Sequence, residues 1–125
     1  MSAKRDELAR IQEIYDVSVQ TLSQMKEIGF SRERFLDPSG PEDDLIAEGI
    51  LNRVLRVTEE AGHISDEVAK RYGFDRRGAT DVRNRLAHAY GEVDREIIWQ
   101  VLTEDFDALV HACRAYCDDR GYELM

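Results

Sequence analysis
The chain has 125 residues, 42% hydrophobic and 34% charged, which fits one soluble globular domain spanning 1–125 and excludes a disordered polyelectrolyte. Nowhere do the roughly 18 consecutive apolar residues of a membrane span occur, and the first residues, Met-Ser-Ala-Lys-Arg-Asp-Glu, lack an apolar signal core, so a cytoplasmic location with no membrane partner is expected. A net charge of −9 argues against a protein that coats nucleic acid broadly.

The elements follow in chain order. Lys4 to Ile28 reads as a long helix, with Leu8, Ile11, Tyr15, Leu22 and Met25 at helical spacing and Gly29 ending it. Ser31 is placed to cap a short helical turn through Phe35. Asp37-Pro38-Ser39-Gly40-Pro41 is the clearest turn. After Pro41 the acidic run Glu42-Asp43-Asp44 suits a helix N-terminus, and Leu45, Ile46, Ile50, Val54, Val57 and Ala61 are expected to line one side of that helix. It closes on Glu59 and Glu60, acids at an end where the helix dipole disfavours them, a hint of a role beyond helix stability. His63 follows at the helix exit, where a cation is favourable, and carries no assigned chemistry.

Ser65-Asp66-Glu67 starts a short helix ending near Tyr72, before Gly73. A fifth helix is expected over Arg77 to Ala89, stopping at Gly91. Asp94 caps the last helix, which carries Ile97, Ile98, Val101, Leu102, Phe106, Leu109, Val110, Cys113 and Tyr116. Trp99 reads as core or interface packing. Cys113 and Cys117 lie four apart on one helix, unsuited to a disulfide, and read as reduced core thiols. No segment alternates with a period of two. The fold is therefore an all-α bundle of three long and two or three short helices.

Chemistry concentrates in Arg83-Asn84-Arg85-Leu86-Ala87-His88-Ala89-Tyr90. Residues 70–88 hold Lys70, Arg71, Arg76, Arg77, Arg83 and Arg85 against Asp75 and Asp81, a local +4 on a body that carries −13. Such a stripe permits one focused contact with a polyanion; a solvated surface is the plainer explanation of any basic run. A guanidinium forks onto phosphate oxygens, and an imidazole takes or gives a proton near neutrality. Together they suit a phosphodiester. On an ideal helix Arg83 and His88 lie about 140° apart, so the helix must end or distort near His88, or a second subunit must complete the site. Asn84 shares a face with His88 and is a candidate to orient the ring or touch a phosphate, whereas Arg85 points elsewhere. The structural alternative for Arg83 is an ion pair with Asp81, Glu59 or Glu60. For His88 it is a satisfied core or surface histidine.

The pattern Arg83-Asn84-x-x-x-His88-x-Tyr90 resembles the Arg-x4-His-x-Tyr motif of the HEPN superfamily, specifically the HepT-like toxins of the MNT–HEPN (HepT–MntA) toxin–antitoxin systems. The likeness extends from Val82 through Asp94 to Glu96-Ile-Ile-Trp99, includes Glu60-Ala61, and covers the helix order of nearly the whole chain. It departs over Tyr72 to Ala79, where that family often has Pro and Trp and this chain has neither.

The resemblance implies a HEPN-type bundle acting as a homodimeric, metal-independent ribonuclease without a cofactor. Arg83 and His88 would be catalytic in a cleft between two protomers, with Asn84, Glu60, Arg76 and Arg77 supporting or binding substrate. Its substrate would be RNA, with tRNA the family-based expectation. A minimal nucleotidyltransferase antitoxin would be the partner, adenylylating Tyr90 with its own ATP. Two alternatives stay open: a noncatalytic HEPN module that binds nucleotide or RNA or serves as the nucleotidyltransferase's adaptor, and an unrelated helical interaction protein.

Overall fold
A computed structural model describes residues 3–88 and 92–124. Helix α1 spans Ala3–Glu27. It closes on Gly29, at φ +64, with the Phe30 amide reaching back to the Met25 carbonyl at 2.9 Å, a glycine-dependent C-terminal lock. Helix α2, Arg32–Leu36, is capped by Ser31, whose side chain accepts from the Arg34 amide. The turn that follows is folded back by Asp43, in the first turn of α3 (Pro41–Gly62). Buried Asp43 takes a bond from Arg34 Nε at 2.9 Å and one from Ser39 Oγ at 3.2 Å. Burial alone would push this carboxyl up, but the Arg34 and Ser39 bonds outweigh it and hold it below the ordinary carboxylate value.

Helix α4 covers Asp66–Tyr72 between a Ser65 cap and Gly73, and α5 covers Arg76–His88, one residue earlier at its start than expected. The Asp75 carboxylate receives the Gly78 amide at 3.0 Å and starts α5. Whether α5 reaches Ala89 and stops at Gly91 lies outside the described residues. Helix α6, Arg95–Gln100, is capped by Asp94 and runs through a π-helical turn, Val101–Asp105, into α7, Phe106–Arg120. The expected single last helix is thus one rod with a bulge. Ile98, Leu102 and Phe106 step by four and are all buried. In a regular α-helix each step of four drifts about 40° off the core, and a turn of i→i+5 bonds absorbs that drift.

α3 is the central rod, packed against α5 on one side and α1 on the other; α1 also packs on α7, α2 on α6, and α4 on α7. Ile11 and Ile14 of α1, Val54 and Val57 of α3, Leu86 of α5, and Leu102, Phe106, Cys113 and Tyr116 of the last rod meet in one core. α3 and α5 pack closely at Gly62, where a Cβ would stand 2.8 Å from Thr80 Oγ1. Two expected core positions are corrected. Leu45 is 73% exposed and Ile97 37% exposed, because the buried stripe of α3 runs through Asp43, Ala47, Ile50 and Leu51 instead, and Ile98 rather than Ile97 faces inward. Trp99 is half-buried, its ring 5.7 Å from that of Phe35.

Cys113 and Cys117 are free, buried thiols, and His111 is exposed. Burial, helped by Cys117, pushes the Cys113 thiol up to about 12, so it stays a protonated core group. The described residues form an all-α bundle without a strand, and none of their helices is long and apolar enough to cross a membrane.

Candidate active site
Ala79, Val82 and Leu86 turn one stripe of α5 into the bundle. That seating sets Thr80, Arg83 and Asn84 along the flank facing the last turn of α3. Between the two helices lies a hollow of about 220 Å³ lined by Thr58, Glu59, Gly62, His63, Thr80, Arg83 and Asn84. Because Gly62 lacks a side chain, Thr80 can lie close, and the two helices meet at the floor of this hollow.

Arg83 is anchored there. Its Nε donates to Glu59 Oε2 at 2.5 Å, and its Nη1 donates to Asn84 Oδ1 at 3.2 Å. Among the described residues two of the five guanidinium N–H donors are engaged, which leaves three, all on the terminal nitrogens. That terminal edge is the one that forks onto a phosphate. Among the three acids read as structural partners for Arg83, the pairing falls to Glu59. Both side chains are about 40% exposed, so the bond fixes orientation more than it stabilises the fold. His63, the C-cap of α3, donates from Nδ1 to the Glu59 carbonyl at 2.7 Å, since a carbonyl oxygen only accepts.

His88 is the last described residue of α5, exposed, with no hydrogen-bond or ionic partner among the described residues. α5 stays helical through it. The helix therefore does not distort to bring His88 beside Arg83, and within one chain the two project about 140° apart. Asn84 is engaged by Arg83 one turn before His88.

The other expected site residues scatter. Glu60 faces α1, where Arg10 Nη1 lies 3.3 Å from it, and lines a charged groove between α1 and α3 that adjoins the Arg83 hollow at Glu59. Arg76 donates to the Ile64 carbonyl at 2.8 Å and sits 3.7 Å from Asp66, bracing the α3–α4 connection. Arg77 is exposed in the first turn of α5. Arg85 borders another hollow with Val93 and Asp94 at the start of α6. Tyr90 lies outside the described residues.

A cation oriented by one acid beside a hollow of polar groups has the chemistry to receive an anion. The family model of the ribonuclease HepT-like proteins matches residues 6–116, nearly the whole chain and all of the Arg83–Tyr90 segment. The chain belongs to this family, within the HEPN superfamily. No curated protein and no solved structure matches it.

For a HepT-like chain the two features least legible beforehand are Glu59 and His63. The sequence signal for Glu59 was its place at a helix end that disfavours acids; which of two adjacent acids meets Arg83, 24 residues on, depends on how α5 rotates against α3. His63 gave no signal besides its cap position.

Proposed function
We propose that this HepT-like protein is a metal-independent endoribonuclease toxin whose active site is built from two copies of the chain. The observation that carries the reading is the arrangement of Arg83. It is anchored through Nε with its terminal edge left for a phosphate, while His88 is exposed at the far end of α5 on another face. A two-fold axis that sets the His88 of one copy against the Arg83 hollow of the other supplies both groups to one phosphodiester. The ribose 2′-OH attacks the adjacent phosphorus. His88 transfers a proton, and Arg83 stabilises the charge building on the phosphoryl oxygens. The nucleophile is tethered beside its target, so no metal is needed to generate it, and DNA, lacking the 2′-OH, is spared. RNA, with tRNA the family-based substrate, is the expected target.

The partner is a minimal nucleotidyltransferase antitoxin that spends its own ATP on adenylylating Tyr90. A phosphate placed two residues from His88 competes for Arg83 and repels RNA. Purified protein is expected to cut RNA in EDTA, and Arg83→Ala or His88→Ala to abolish cutting; full cleavage by both variants would refute the reading. Binding of RNA without cleavage by the wild type would favour the noncatalytic adaptor, for which the −13 charge outside the basic stripe speaks. Co-expression with the nucleotidyltransferase is expected to add the mass of AMP, and Tyr90→Phe to remove both the adduct and the protection.

A further inference from the structure
The imidazole that shares the Arg83 hollow within one chain is His63, not His88. Its Nδ1 is committed to the Glu59 carbonyl at 2.7 Å. A carbonyl has no hydrogen to give, so Nδ1 carries the proton, and in the neutral ring Nε2 is left with its lone pair. The ring is exposed. Its place as the C-cap of α3 is met by its backbone amide, which bonds to the Glu60 carbonyl at 3.1 Å, so the cap itself does not require an imidazole. The hollow thus joins an oriented cation, an amide side chain from Asn84, and a ring whose tautomer leaves a base in the same space.

We propose that His63 is a second catalytic residue, the general base that takes the proton of the ribose 2′-OH, with the phosphate held on Arg83. This rests on the ribonuclease reading above and adds to it. That reading gives His88 one proton transfer, whereas cleavage needs two, a proton removed from the nucleophile and one delivered to the leaving oxygen. With His63, both are assigned. Nε2 of His63 accepts the 2′-OH proton as the 2′-O–P bond forms. The P–O5′ bond breaks, and the protonated His88 of the second copy gives its proton to O5′. The products are a 2′,3′-cyclic phosphate and a 5′-hydroxyl, with no net proton consumed. Glu59 is then a positioning residue for both groups, holding Arg83 by its carboxylate and His63 by its carbonyl.

The test uses the full chain with His63→Asn, which keeps an N–H donor for the Glu59 carbonyl but no nitrogen that carries a proton, and His63→Ala beside it. The expected result is a fall in kcat of about a hundredfold or more in both, with KM for RNA within a few-fold of wild type and an unchanged melting temperature for His63→Asn. Both variants cutting within threefold of wild type, while Arg83→Ala and His88→Ala are dead, would overturn the role of His63 and leave the ribonuclease reading standing. All four variants cutting normally would overturn both. An independent readout is the imidazole ¹⁵N spectrum of wild type with a 2′-fluoro RNA oligomer that cannot be cleaved. The His63 Nε2 signal is expected to shift on binding, and an unmoved signal at saturating oligomer would count against the proposal.

Discussion

Removing the Glu59 carboxylate separates what holds the fold from what holds Arg83. The pair is about 40% exposed on each side, so its loss is worth at most about 1 kcal/mol. In a domain of this size that is about 3–6 °C in melting temperature. The His63 bond goes to the Glu59 backbone and survives substitution. Arg83 fares differently. Glu59→Ala removes its Nε anchor and leaves only the 3.2 Å bond to Asn84, its neighbour in sequence. A reacting group misplaced by about 1 Å loses on the order of 100-fold in rate.

Glu59→Gln keeps an oxygen that accepts from Nε and removes the charge that competes with phosphate. Single-turnover cleavage of labelled RNA in EDTA, over a range of protein concentrations, reads both terms. Glu59→Ala is expected to lose about 100-fold in the limiting rate. Glu59→Gln is expected to hold that rate within about threefold while half-saturating at lower concentration. A limiting rate for Glu59→Ala equal to wild type would refute the anchoring role, and a melting temperature lowered by far more than the pair can supply would show Glu59 to be structural instead.

Three further outcomes follow from the bundle. A Cβ at Gly78 would sit 2.3 Å from Asp75 Oδ2, so Gly78→Ala is expected to expel the cap of α5 and cost about 0.5–2 kcal/mol in denaturant unfolding, with Asp75→Ala costing a similar amount and the double variant little more than either. Leu86 is fully buried and seats α5, the helix that carries Arg83, in the core; Leu86→Ala is expected to destabilise by about 2–5 kcal/mol and to lower activity through the lost helix packing, which thermal melts and cleavage assays would show together.

The third concerns Asp105, in the π-turn. Asp105 is exposed, yet desolvation by its surroundings, then Glu104 and Asp75, raise its carboxyl above the ordinary 3.8. The folded chain therefore holds this proton more tightly than the unfolded one, and the contribution to stability falls as pH rises from 3.8 through the raised value. Asp105→Asn is expected to be more stable than wild type at neutral pH, with the gain vanishing below pH 3.8; a gain independent of pH would contradict this.

Helix positions were legible because amphipathic period and caps agree: Ser31, Ser65 and Asp94 each accept the amide their place predicts, and Gly29 and Gly73 each take positive φ. The π-turn was not, because Ile98, Leu102 and Phe106 at steps of four read equally well as a drifting α stripe. Leu45 misled because hydrophobicity marks a residue's preference and not its face; the neighbouring Asp43 is buried in its stead by three bonds from Arg34 and Ser39. Within the site, helical geometry already separated Arg83 from His88, and α5 remains helical through His88. What the spacing cannot tell is where tertiary partners lie. Arg76 and Arg77 are adjacent cations, yet one is bound to the Ile64 carbonyl and the other faces solvent, a difference set by where the α3–α4 connection passes.

The central claim, that one copy's Arg83 works with another copy's His88, is tested most directly by mixing two dead variants. Arg83→Ala and His88→Ala proteins are co-refolded in equal amounts and assayed on RNA in EDTA. With random pairing about half the dimers are hybrids, each holding one intact site of two, so activity is expected to return to roughly one quarter of wild type. A mixture as inactive as either variant alone, with hybrids shown to form, would contradict a site shared between copies.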